Sequence, residues 1–549
     1  MKRSLIYILF IILFLPIFSC NSMLDEENYG NLTEDEMLRD EANIVLLVGQ
    51  AYAEVKWLHD HWGYWGINTL TADECVCPVR KPGDHWSDGG YWAGMNTHSW
   101  NPESKAFENV WNQSISGAVL CNKIIQTLKN NQSSISPTLY ARYVGELEVL
   151  RSYYFYTLFD SFGRIPYTEE FKENTAVPLM GAAEVWTKLV ECLERNAPNL
   201  PAVTAGNRVA NYGRVTQGFA YALLARLYLN AESYGVPASS ENFYSKCIDA
   251  CQEVIDAGSY IIEDDFFTNF KINNEGSKEN IFVIVEDGNA EFDARSIGSM
   301  SNKLRVTMLS LHYCHQTAWN LIEKPWNGFC APPDFLARYA DSDLRGPGVE
   351  GQGTKNARTY GWFVGPVYDT KGENILKDEN KDDAVIVPTI TSLTGAGWAE
   401  GARFLKYEID KEAKYKFCEN DFVLFRYADV LYMQAEAFLR GGTSSTGASL
   451  GNLIESVDFQ SIRTRVGLTP YSVGDLTLDE ILDERGREFA WENIRRRDLI
   501  RYRKFAEGTW FGKNPKPATY NWFPIPSPVI LKSEVGEDGE HIWTQNPGY

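Results

Sequence analysis

Seven of the 16 tryptophans (Trp57, Trp62, Trp65, Trp86, Trp92, Trp100 and Trp111) fall within 55 residues of a 549-residue chain. An even scatter would put fewer than two there. The same stretch carries Cys77-Pro78-Val79-Arg80-Lys81-Pro82-Gly83-Asp84-His85-Trp86-Ser87-Asp88-Gly89-Gly90-Tyr91-Trp92, where Gly and Pro dictate a loop, and loops lie on surfaces. An aromatic ring on a loop suits a sugar: one face of a pyranose is lined with C–H groups that pack on a π-face. Neighbouring Asp, Asn and Arg side chains can then bond the hydroxyls, the usual mix of apolar walls and a few placed polar groups. A second cluster, Tyr313, Trp319, Trp326 and Phe329, offers Trp319 and Trp326 as further candidates, and Tyr360 with Trp362 forms a third. Binding on such rings predicts that they share one coplanar surface patch.

Other chemistry finds less support. A glycoside hydrolase needs two carboxylates roughly 5 to 10 Å apart, and a chain with 73 acidic residues can always supply a pair. The densest charged cluster, Glu484, Arg485, Glu488, Glu492 and Arg496, has spacings of three and four, which predict ion pairs along one helix. There is no GxSxG, Walker loop, HExxH or DxDxDG pattern, so no catalytic residue, cofactor or metal is expected. Zinc is disfavoured for the same reason: neither a CxxC pair nor an HxxxH occurs. Most of the ten cysteines are expected as small buried hydrophobes.

The first residues set the compartment. Lys2 and Arg3 precede an apolar run from Leu5 to Phe18, too short to span a bilayer and so read as a signal peptide over 1–19. It ends Leu15-Pro16-Ile17-Phe18-Ser19-Cys20, a lipobox pattern in which Cys20 is the lipidation site. Several acyl chains on one cysteine hold a protein to a membrane durably. A polar, acidic tether follows over 20–32. The net charge of −21 becomes more negative still once Lys2 and Arg3 are removed, which argues against nucleic acid as a partner.

The elements that must carry these loops read as helices. Thr33-Glu34-Asp35-Glu36 fits a capping box before the stripe Ile44, Leu47, Val48, Ala51, Val55 and Leu58. An aperiodic stretch over 59–109 contains the aromatic loop. The helical stripe returns at Trp111, Ile115, Ala118, Val119, Asn122 and Ile125. Ser136-Pro137 then opens another helix, through Tyr140, Val144, Leu147, Tyr154 and Leu158. Further helices fit 183–196, 216–233 and 243–257, as helix–loop–helix units of tetratricopeptide size without a strict repeat. The segment 261–417 is loop-rich, with strand candidates at 281–285 and 384–388. Helices resume over 425–440, 453–465 and 478–505, ahead of an extended tail. A single body over 33–549 is expected, with 33–260 and 418–549 forming one scaffold.

At the C-terminus the pattern becomes specific. Arg426-Tyr427-Ala428-Asp429-Val430-Leu431-Tyr432-Met433-Gln434-Ala435-Glu436-Ala437 resembles the RyADvLLmkAEA helix of the SusD/RagB family. Glu484-Arg485-Gly486-Arg487-Glu488-Phe489-Ala490-Trp491-Glu492 and Arg496-Arg497-Asp498-Leu499-Ile500-Arg501 resemble its ERgrElafEg…RrfDLiR segment. Trp522-Phe523-Pro524-Ile525-Pro526 and Gln545-Asn546-Pro547-Gly548-Tyr549 are similar to its ending. Two shorter signatures match at Ala402-Arg403-Phe404-Leu405-Lys406-Tyr407 and Phe162-Gly163-Arg164-Ile165-Pro166-Tyr167. The departures are Tyr432 in place of a Leu and a shortened segment over 529–544.

The resemblance implies a mainly α fold, tetratricopeptide-like helix pairs in a right-handed superhelical scaffold with a loop-rich insertion carrying short strands. It also implies a lipoprotein on the outer membrane, facing the medium, paired with a SusC-like TonB-dependent transporter and capturing oligosaccharide or polysaccharide. The alternative within the family is a lid that handles peptides or glycoproteins, or is purely structural. The match of Arg80…Gly83-Asp84-His85-Trp86…Asp88-Gly89-Gly90 to a family variant reading RGGDWyDGG nominates Trp86, with Tyr91, Trp92 and Asp84 beside it. Trp100 and Trp111 resemble core positions, while Trp57, Trp62 and Trp65 stay open between core and ligand. Asp73 and Glu74 resemble a turn element and are expected to cap it.

Overall fold

The computed structural model describes residues 38–83, 86–171, 177–237, 241–286, 305–347, 361–411, 418–536 and 539–549. Cys20, the signal peptide, the tether, the capping box at Thr33 and Tyr360 lie outside these residues, as does Asp84. Among the described residues the frame is set by the helices α1 Glu41–Leu58, α2 Lys105–Asn130, α3 Pro137–Phe162, α4 Ala182–Asn196, α5 Gln217–Leu229, α6 Phe243–Asp256, α7 Tyr427–Leu439, α8 Leu478–Glu488 and α9 Arg495–Arg501. Each of the first six packs on its sequence neighbour, and α6 then packs on α7, so the helices after the insertion continue the stack begun before it. One hydrophobic core runs accordingly from Leu38 to Val529. This is the helix-pair architecture expected.

Local chemistry explains where the helices begin. Asp40 caps α1 by accepting from the Ala42 amide, Ser136 caps α3 ahead of Pro137, and Thr216, Asn242 and Thr477 do the same for α5, α6 and α8. The helices then approach closely. A Cβ on Gly117 of α2 would stand 2.3 Å from the Tyr154 ring of α3, so only glycine fits that crossing. From there the Tyr154 hydroxyl reaches the Ala51 carbonyl of α1 at 2.5 Å, tying three helices at one point.

Among the described residues the insertion and the stretch just after it form three two-stranded antiparallel ladders. β1 (Asn280–Ile284) pairs with β6 (Phe422–Arg426), β2 (Gly361–Phe363) with β5 (Arg403–Leu405), and β3 (Gly365–Pro366) with β4 (Val385–Ile386). The strands expected at 281–285 and 384–388 are present. β6 is a difference: Phe425 and Arg426 read as helical from their spacing but are strand, because β1 offers them backbone partners. The helix expected over 478–505 is also broken. Trp491 (φ 61°) and Asn493 (φ 66°) take left-handed conformations between α8 and α9. Tertiary contacts hold that break open: the Trp491 amide donates to the Glu74 carboxyl at 3.0 Å and its indole N–H to the Glu74 carbonyl at 2.9 Å. Ser456 likewise divides 453–465 by capping the helix Val457–Thr464.

The acidic-basic cluster is an ion-pair network, but it does not run along one helix. Glu488 of α8 is fully enclosed and takes Arg426 from β6 at 2.6 Å, Arg465 at 2.6 Å and Arg345 at 2.7 Å. Glu492 takes Arg426 at 2.8 Å and also holds Lys406, while along α8 itself Arg487 pairs with Glu484 at 2.6 Å and with Glu480 at 2.5 Å. A second hub, Asp160 of α3, accepts from Arg496 of α9 at 3.0 Å and from the Tyr64 and Tyr234 hydroxyls at 3.0 and 2.8 Å. A third, Asp73, binds Arg495 at 2.7 Å and Arg338 at 2.8 Å, so it is an ion-pair partner rather than the cap expected.

Glu488→Gln keeps the shape of the hub but leaves three buried guanidiniums short of an anion. A buried pair broken from one side costs about 3–5 kcal/mol, so the denaturation midpoint should fall markedly; an unchanged midpoint would show that the neighbouring carboxylates take over. Glu74 is the opposite case. Burial, with Asp73 alongside, pushes its carboxyl up to about 8, against the pull of the Trp491 amide, Arg495 and Lys406. The folded protein therefore holds a proton that the unfolded chain releases near pH 4.5. This contribution is full below that pH and lost as pH rises through 8, by up to about 1.4 kcal/mol per unit. Glu74→Gln mimics the protonated form, so the stability difference between wild type and variant should move in the variant's favour from pH 5.5 to 8.5. A constant difference would mean that Glu74 holds no proton.

Candidate functional site

Three loop segments meet where the sequence concentrates its aromatics. Val76 exchanges backbone hydrogen bonds of 2.9 Å with Cys330, and the strand-like run continues with Val79 and Lys81 bonding to Leu393 and Ala396. At the junction Arg80, 2% exposed, donates Nε to the Asn327 carbonyl at 2.6 Å and its other nitrogens to the carbonyls of Gly397, Glu400, Trp398 and Gly328. Arg403 of β5 completes the knot by donating to the Asn327 side-chain oxygen and the Trp398 carbonyl, both at 2.8 Å. Asn327 also donates its amide to the Trp398 carbonyl at 3.1 Å and sits at φ 56°. These hydrogen bonds from two buried guanidiniums go mainly to main-chain carbonyls. Burial first, and then the charge of Arg80, pulls Arg403 well below the usual arginine range.

This knot sets the rings. Trp86 and Trp326 are both half-buried, with centroids 5.1 Å apart and planes at 75°. Phe329 stands 5.0 Å behind Trp86. Gly328 makes the approach possible, since a Cβ there would lie 2.2 Å from the Trp86 ring. On the other side Trp62 and Tyr91, also half-buried, lie 5.1 Å apart at 33°. The Tyr91 hydroxyl accepts from the Ala106 amide at 3.1 Å, and burial pushes it up to about 12. The ammonium of Lys105 is 5.8 Å from the Trp62 ring. The rings therefore form angled walls rather than the coplanar patch expected.

Two nominated residues are corrected. Trp92 is wholly buried, because Asp88, Gly89 and Gly90, all at positive φ, turn the chain into the helix Tyr91–Asn96 and point the indole inward. Its N–H is held by the Asp88 carboxylate at 2.8 Å, and its ring closes against Trp62 at 4.5 Å. Trp319 is 5% exposed in a separate cluster, 4.5 Å from His315 and 6.2 Å from Phe363. Neither offers an open face. Trp362 is buried too, against Phe404 and Trp491. Trp100 and Trp111 are core, as expected, and Trp65 joins them. Tyr313 is half-buried, 6.2 Å from Trp398 and 4.4 Å from the Lys324 ammonium. Sequence reasoning missed the Arg80–Asn327–Arg403 knot. The only local signal is the Trp326-Asn327-Gly328 run, whose composition favours a turn.

Among the described residues no group of three or more His, Cys, Asp or Glu could hold a metal ion, and no helix is long and apolar enough to cross a membrane. The nine described cysteines are buried free thiols.

Comparison with known proteins agrees with this frame. Two family models match: "SusD family" over residues 278–549 and "Starch-binding associating with outer membrane" over residues 68–229. A curated relative, the starch-binding protein SusD of Bacteroides thetaiotaomicron, is 23% identical over 517 residues, covering 88% of this chain and 85% of that protein. Among solved structures, surface glycan-binding protein A of Bacteroides thetaiotaomicron superposes with a TM-score of 0.70 at 21% identity, covering 93% of this chain and all of that one. Its complex with laminarihexaose gives a TM-score of 0.69 at 21% identity, over 92% of this chain and 99% of that one. The homologous protein from Bacteroides fluxus gives 0.67 at 19%, over 93% and 100%. The helical stack, the buried arginine–carboxylate hubs built from the C-terminal motifs, and the two family matches on either side of residue 250 lead to one assignment: this chain belongs to the SusD family.

Proposed function

We propose that this protein is a non-enzymatic, cell-surface lipoprotein that binds oligosaccharide or polysaccharide and passes it to a SusC-like TonB-dependent transporter. The observation that carries the reading is the set of half-buried rings, Trp86 and Trp326 at 75° with Trp62 and Tyr91 alongside, held on loops locked by Arg80 and Arg403. Angled π-faces receive the C–H faces of successive sugar units, while polar groups on the same loops meet the hydroxyls. The rings are pre-positioned, so little ordering cost is left for binding. Support comes from relatives: one is named for starch binding, and another was solved with laminarihexaose. The outer-membrane location is supported by the wording of one family match, and anchoring through Cys20 by the lipobox.

The test is affinity electrophoresis of the body starting after Cys20, in gels containing starch, laminarin, xylan, yeast mannan or mucin glycans. Wild type should be retarded by at least one. Trp86→Ala and Trp326→Ala should each weaken that retardation about tenfold or more, equivalent to about 1.4 kcal/mol. Trp319→Ala, a core change, should lower stability and leave the retardation of the remaining folded protein intact. Absence of retardation in every gel would sink the glycan reading in favour of a peptide-handling or structural lid.

A further inference from the structure

Beneath the angled rings lies a polar atom that the chain leaves unused. His61 is 2% exposed, and its imidazole is surrounded by Trp92 at 5.6 Å, Trp86 at 5.7 Å, Trp62 at 5.9 Å and Phe329 at 6.3 Å. Nδ1 is fixed by the Asp60 carboxylate at 2.7 Å. That carboxylate is itself held in place, because its Oδ1 accepts from the Trp62 amide at 2.8 Å. Nε2 is buried and meets no hydrogen-bond partner.

The geometry of the ring decides where Nε2 points. The two nitrogens of an imidazole diverge, so with Nδ1 turned to Asp60, Nε2 faces away from it. In the neutral tautomer Nδ1–H donates to Asp60, which leaves Nε2 a lone-pair acceptor. Buried acceptors without partners are rare because desolvation is not repaid. Phe329 has no polar atom, the Trp92 indole N–H is taken by Asp88, and neither the Trp62 nor the Trp86 N–H donates to Nε2. The half-buried Trp62 and Trp86 stand among the rings around it. A guest that places a hydroxyl between them would supply the missing donor.

We infer that His61 is a specificity-determining residue of the glycan site, its Nε2 accepting a hydrogen bond from a hydroxyl of the bound sugar between Trp62 and Trp86. This rests on the glycan-binding reading above. It adds a directional requirement to that reading: the rings select a C–H face, and His61 selects a sugar with a donor hydroxyl beyond that face's edge. A site built to satisfy a buried acceptor rejects analogues that lack the donor far more strongly than an apolar wall would.

The probe is whichever of starch, laminarin, xylan, yeast mannan or mucin glycans retards the wild-type body. His61→Phe keeps a ring in the cage and removes Nε2; it should bind that polysaccharide at least tenfold more weakly without a lower melting temperature. His61→Gln, which restores a polar end, should recover part of the loss. With histidine 15N-labelled wild type, adding the polysaccharide's short oligomers should shift the His61 Nε2 resonance and leave Nδ1 nearly in place. If wild type is retarded and His61→Phe is retarded equally, or the Nε2 resonance does not move, the inference about His61 is wrong while the glycan reading stands. Loss of affinity only in step with loss of melting temperature, with Gln no better than Phe, would likewise reduce His61 to a packing residue. If no gel retards wild type, both readings fall together.

Discussion

Glu488 shares its two oxygens among three arginines that reach it from a strand, a loop and a helix end, and none of these four side chains has appreciable access to water. A buried charge of this kind tolerates no half measures: it is compensated completely or it costs several kcal/mol. That condition ties the position of α8 to β6, and through the β1–β6 ladder to the start of the insertion. Asp160 plays the same part between α3 and α9, and Asp73 between the aromatic segment and α9. Segments more than 300 residues apart in sequence are thus joined by contacts that lose their value if any partner moves. The charged C-terminal motifs serve as the joint between the helical stack and the loops that ride on it.

How much of this could be read in the chain depends on whether the cause was local. The helices α2, α3 and α6 were legible because their apolar stripes, and for α3 the Ser136-Pro137 cap, lie within a few residues of what they specify. The break between α8 and α9 was not. Periodicity continues through Trp491, and the reason for its left-handed turn is Glu74, 417 positions away. The charged cluster was legible as ion-paired, but its partners were not, since spacing reveals only neighbours on one helix. β6 was lost for the same reason: a strand that needs β1 to exist carries no signal of its own beyond apolar residues.

The aromatic loops divide similarly. Tryptophan enrichment singled out the aromatic loops, and Trp86 and Trp326 emerge from them half-buried and adjacent. Composition could not separate them from Trp92 and Trp319. What buries Trp92 is three successive positive-φ residues that swing the chain inward and a carboxylate waiting for its N–H. What buries Trp319 is a satellite core assembled from four remote segments. Coplanarity was the natural expectation for a sugar platform. The close approach of Trp86 over Gly328 gives the rings walls at an angle instead.

The two groups of buried arginine differ in a way that bears on function. In the scaffold, guanidiniums meet carboxylates, so each contact depends on the identity of a particular partner side chain. Under the aromatic loops, Arg80 and Arg403 bind chiefly to the carbonyls of Asn327, Gly328, Gly397, Trp398 and Glu400. A main-chain carbonyl is present whatever residue carries it. Side chains at the rim can therefore be exchanged without dismantling the knot that holds the loops. Asn327 is the exception, because its side chain accepts from Arg403 and donates to Trp398 while its conformation is left-handed. A frame fixed by backbone acceptors, with one obligatory asparagine, holds the loops in place without depending on which side chains stand at the rim. The rigidity of the aromatic loops thus resides in the frame beneath them and not in the rings it carries.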